Sequence, residues 1–136
     1  MALTTAQLKL TSAEDSLTSS AIAIDETTNL FNAGTTTGMT KTTGLARKSF
    51  AAATETKLLE STEYTSSKAT KIYIKNTDVE GASATTVSIT FGALAASVLG
   101  ILHNNEWALI PWAATGDINI ICSSASTLVE WMVIYE

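Results

Sequence analysis

From residue 70 onward the chain changes side with every residue. In Thr70-Lys-Ile-Tyr-Ile-Lys-Asn76, Ile72 and Ile74 fall on one face and Lys71, Tyr73 and Lys75 on the other. In Thr85-Thr-Val-Ser-Ile-Thr-Phe91, Val87, Ile89 and Phe91 share a face. A period of two belongs to a pleated strand, so both runs are predicted as strands with those residues pointing inward. Val98-Leu-Gly-Ile-Leu102 is apolar on both faces, the pattern of a buried strand. Trp107-Ala-Leu-Ile-Pro-Trp112 reads as a strand whose Pro111 cannot donate to a ladder, so that end belongs at an edge or is leaving the sheet. Residues 117–122 form a further strand and residues 128–135 the last. On that last strand Val129, Trp131, Val133 and Tyr135 share one face, and Leu128, Glu130, Met132 and Ile134 share the other. One face serves the core, and the other needs cover from an arm or another subunit. Short polar turns separate these strands and no helical period competes with them. The prediction is an all-β domain, an antiparallel β-sandwich or jelly-roll-like barrel.

Residues 1–70 have a different texture. They hold Phe31, Phe50 and Tyr64, whereas all three tryptophans lie later. They are predicted to form an extended N-terminal arm with peripheral strands, and residues 71–136 the core strands, within one structural domain. Residues 1–12 fit either a helical turn or a strand, and residues 16–25 alternate with Ile22 and Ile24 on one face. The run from Ala33 to Lys48 has Gly34, Gly38 and Gly44 among threonines and little bulk to bury. It reads as a long exposed loop, or as an arm that orders on a neighbouring subunit. Its glycines and Lys41 do not meet the spacing of a phosphate-binding loop.

Composition narrows the function classes. The net charge is −5 and only 15% of residues are charged. That disfavours nucleic-acid binding and docking on anionic membranes, both of which need clustered Lys and Arg. Threonine and serine make up 37 of the 136 residues. A surface made polar by hydroxyls costs less to desolvate than one made polar by charges, which suits a chain that lives against other subunits. The single Cys122 excludes an internal disulfide and a multi-cysteine zinc site. The first residues lack the basic start and apolar run of a secretory signal, and the longest apolar-leaning run is too short to span a bilayer.

No catalytic constellation stands out, and no cofactor or metal is expected. His103 and Glu106 share a predicted turn, and a metal would need more ligands. Asp117 starts a strand after Gly116, where a carboxylate commonly bonds turn amides. The adjacent acids Asp25-Glu26 point to opposite faces of a strand and make a poor catalytic pair. Trp107 and Trp112, five apart, fall on opposite faces, which argues against a flat sugar-stacking platform. The residues expected at a partner interface are Met39, Leu45, Arg47 and Lys48 from the loop or arm, with Trp107, Trp112, Trp131 and Tyr135 from the later strands.

The runs Lys71-Ile-Tyr-Ile-Lys-Asn-Thr77, Val87-Ser-Ile-Thr-Phe-Gly92, Leu102-His-Asn-Asn-Glu-Trp-Ala-Leu-Ile-Pro-Trp112, Asp117-Ile-Asn-Ile and Val129-Glu-Trp-Met-Val-Ile-Tyr-Glu136 carry a resemblance. Together they resemble small virion accessory proteins of tailed bacteriophages, of the capsid decoration or cement type. Thr42-Thr-Gly-Leu-Ala-Arg-Lys48 is similar to the arms of such particle proteins. Asn105 departs from the pattern, standing where a glycine is common. The resemblance implies a non-enzymatic homotrimer on the capsid surface of a virion, assembled in the host cytoplasm with the major capsid protein as partner. The alternative it leaves is a tail, baseplate or fibre-tip component, including one that binds host glycans.

Overall fold

The computed structural model describes residues 3–79, 83–94 and 97–136. Among them are eleven strands and one short 3-10 turn, Ser61–Glu63. The strands are β1 (Thr5–Ser12), β2 (Ile22–Asn29), β3 (Lys41–Thr42), β4 (Ala46–Ser49), β5 (Thr56–Leu59) and β6 (Thr70–Asn76). They continue with β7 (Val87–Phe91), β8 (Ser97–Leu102), β9 (Trp107–Pro111), β10 (Ile118–Cys122) and β11 (Leu128–Tyr135). One sheet has the order β5-β10-β7-β8; the other has the order β3-β11-β6-β9, with β4 also on β11. β1 and β2 form a separate antiparallel pair. Every strand pairing is antiparallel.

The two larger sheets share one core. Ile72, Ile74, Val129 and Val133 from the five-stranded sheet meet Val87, Ile89, Ile118, Ile120 and Cys122 from the four-stranded sheet. Each of these side chains is at most 2% exposed. The chain is therefore an all-β fold consistent with a β-sandwich. β6 alternates as its sequence predicts, with Ile72 and Ile74 buried and Lys71, Tyr73 and Lys75 half-buried on the outer side. On β11 the face with Val129 and Val133 is the core face. β9 is an edge strand that ends at Pro111, so the proline's missing donor costs the ladder nothing on its open side.

Several expectations are corrected. The run 33–48 is not an open loop. Phe31 bridges Gly38, the Met39 N–H donates to the Leu30 carbonyl at 2.9 Å, and β3 and β4 pair with β11 of their own chain. Backbone pairing and the burial of Met39 hold a stretch whose sequence offers little else to bury. Within residues 1–70, β1 and β2 form a hairpin that pairs over its whole length. β8 is not buried on both faces but is the edge of the four-stranded sheet, with Val98, Leu99 and Ile101 exposed. Phe91 lies at the exposed end of β7 against Gly116, where an added Cβ would meet the ring at 3.0 Å.

The turn between β8 and β9 explains the departure at Asn105. Its φ is 63°, the left-handed region that asparagine and glycine enter most readily. The Glu106 N–H donates to the His103 carbonyl at 3.0 Å, and the His103 N–H donates to Glu106 Oε2 at 2.7 Å. Asn105→Ala should lower the unfolding free energy in urea by about 1 kcal/mol, whereas Asn105→Gly should leave it nearly unchanged. Ile74→Ala, which empties a fully buried site, should cost about 2–5 kcal/mol in the same assay.

Candidate interaction surface

The outer face of the five-stranded sheet gathers apolar side chains that a lone domain would ordinarily cover. Register places Leu109 and Met132 on either side of Tyr73, Trp107 beside Lys75, and Ile134 beside Lys71. Tyr73, Leu109, Met132 and Ile134 are half-buried, and Trp107 is 49% exposed. The start of β1 and the buried Leu30 and Met39 border this face. Between the β1–β2 hairpin and β9 lies a groove of about 800 Å³, walled by Leu8, Leu10, Trp107 and Leu109.

One charged group is set into the face. The Glu130 carboxylate on β11, only 6% exposed as a residue, pairs with the Arg47 guanidinium from β4 and accepts from the Tyr73 hydroxyl at 3.0 Å. Burial alone would push the Glu130 carboxyl up; Arg47 and Tyr73 outweigh it and hold the carboxyl below its ordinary value. The Tyr73 phenol is pushed up to about 12 by burial and by the carboxylate it faces. Both groups keep their neutral-pH forms, and neither is poised for proton transfer near pH 7.

The residues expected at an interface are distributed unevenly. Trp107 and Leu45 are exposed. Arg47 is committed to Glu130, and the Lys48 ammonium lies 5.6 Å from the Phe50 ring centre. Met39 and Trp112 are buried inside the chain, at 2% and 5% exposure. Trp112 donates its indole N–H to the Gly116 carbonyl at 2.9 Å and meets Tyr64 edge-on at 5.1 Å. Tyr135 also meets Tyr64 edge-on at 5.6 Å, and Trp131 packs against Phe50 at 5.8 Å. Leu8, Leu10, Tyr73, Leu109, Met132 and Ile134 were not singled out from sequence. The available signal was the second apolar face of residues 128–135, without a means of telling which face was the outer one.

The other chemistry-bearing residues are engaged in holding the fold. Asp117 Oδ2 pairs with Lys57 Nζ at 2.8 Å, and Oδ1 accepts from the Ser61 N–H at 2.8 Å and the Ser61 hydroxyl at 2.9 Å. Lys57 first, then Ser61, lower the Asp117 carboxyl to about 2. The Cys122 thiol is fully buried and pushed up by that burial, then by the charge of Asp78. Among the described residues no group of three His, Cys, Asp or Glu is placed to hold a metal ion, and no helix is long and apolar enough to cross a membrane.

These carboxylates set an acid limit. A carboxyl lowered in the folded state contributes stability above its ordinary value and loses that contribution as pH falls through the folded value. For Asp117 the window runs from 3.8 down to about 2. Unfolding free energy measured in urea should fall across that window, and Asp117→Asn should flatten the fall while lowering stability at pH 7.

Comparison with protein-family models, with curated proteins and with solved structures found no match to this chain.

Proposed function

We propose that the chain is a non-enzymatic structural subunit of a phage virion, a capsid decoration or cement protein that sits on the major capsid protein. The observation that carries the reading is the outer face of the five-stranded sheet. There Trp107, Leu109, Tyr73, Met132 and Ile134 form an apolar strip beside the hairpin groove. Such a strip gains about 25 cal/mol for each Å² of apolar area removed from water. Interfaces of ordinary size bury about 800 Å² per partner. The hydroxyl-rich surroundings desolvate cheaply compared with charges. Repeated over a shell, the contact adds resistance to outward pressure without any reaction.

The exposed indole of Trp107 beside a groove favours a second reading, a tail or fibre-tip part that stacks a host glycan.

Immunogold labelling of the source particles with an antibody to this chain separates the two. Label over heads supports the cement reading; label confined to tails supports the second, and no label on any particle removes both. Trp107→Ala should weaken binding of the purified chain to capsids stripped of it by about tenfold or more, with no change in urea stability beyond about 0.5 kcal/mol.

A further inference from the structure

We infer that the free edge of β8 is a seam between two copies of this chain, in which the β8 strands pair antiparallel across a two-fold axis. The two four-stranded sheets then run on as one.

β8 pairs with β7 on one side, and among the described residues no strand pairs with its other side. An open edge presents a row of main-chain N–H and C=O groups, so the occupant that satisfies it is another strand. The side chains agree with that. Val98, Leu99 and Ile101 are 55%, 56% and 51% exposed, and Ile101 lies on the outer face beside Ser88. Gly100 has nothing within 4 Å of where a Cβ would stand, which leaves room for a side chain from an opposing strand.

Charge selects a second copy as the occupant. Antiparallel pairing about a two-fold axis sets residues of one short segment against the same segment, so any charge meets its own sign nearby. Ser97–Leu102 holds no charged residue and no proline. The outer strands elsewhere in the two sheets differ: β5 carries Lys57, β9 ends in Pro111, β3 begins with Lys41, and β4 carries Arg47 and Lys48. In a chain of net charge −5, β8 is an edge that brings no charge of its own to such a seam. Lysine and proline are two of the guards found on natural edges, and this one has neither; Leu99 is the extra residue of a bulge between Val98 and Gly100 in the pairing with β7. The inference concerns the purified chain alone and does not rest on the virion reading.

Sedimentation velocity of the purified chain over a concentration series tests it. The expected result is a mass that rises with concentration from 14.3 kDa to twice that value. Val98→Lys with Ile101→Lys should weaken association by about a hundredfold or more and keep the near-ultraviolet circular dichroism of the folded chain. Should that variant misfold, Leu99→Cys decides the matter. With Cys122 buried, a short bismaleimide should link two such chains through Leu99→Cys in high yield, and should not link chains carrying Leu45→Cys instead. A chain that stays monomeric throughout overturns the inference. So does a dimer or trimer whose mass the lysine substitutions do not change, or equal linking at Leu45→Cys.

Discussion

β11 is the strand on which the rest depends. It pairs with β6 along one side and with β3 and β4 along the other, so its backbone groups are satisfied in both directions. Between β3 and β4, Thr43 closes the gap: its N–H donates to the Val133 carbonyl and its hydroxyl accepts from the Val133 N–H, each at 3.0 Å. Val129 and Val133 then face the core with no exposure, while Glu130, Met132 and Ile134 face outward. A one-residue slip would exchange these sets, turning two valines to water and the Glu130 carboxylate into the core. The Arg47–Glu130 pair adds a second check on register, because it forms only when those residues are opposite one another.

Around that strand, short polar links hold the ends of the sandwich. Asn76, fully buried at the end of β6, reaches the carbonyls of Thr85 and Leu102 at 3.4 Å each and accepts from the Asp78 N–H at 3.1 Å. Asp117, just before β10, ties in β5 through Lys57 and the segment after β5 through Ser61. The Tyr64–Trp112 and Tyr64–Tyr135 contacts fill a flank of the core. Apolar surface lies open beside them in the outer strip of the five-stranded sheet, the hairpin groove and the β8 edge.

Much of this was legible in the residues, and the limits have physical causes. The alternation in β6 identified its inward residues because burial on one face and solvent on the other leave a period of two. The last strand's two faces were also readable, but not which was inner, since that depends on where the other sheet lies. β8 was misread because an apolar run has one local pattern whether it is central or at an edge; strand order is a long-range property. The pairing of residues 41–49 left no hydrophobic signature because backbone hydrogen bonds carry it. Phe91 kept the inward parity but ends β7 beside Gly116, where the sheet stops covering it. The groove escaped because it is made by a hairpin from one end of the chain meeting β9 from the other.

The central claim is that β11 and its neighbours sort apolar side chains into a closed core and a half-buried outer strip that ends at the exposed Trp107. Hydroxyl-radical footprinting of the folded chain, read residue by residue by mass spectrometry, tests it directly. The account predicts fast oxidation of Trp107 and measurable oxidation of Met132, with Trp112 and Met39 protected until the chain unfolds. Trp112 or Met39 reacting as fast as Trp107 in the native chain would contradict it.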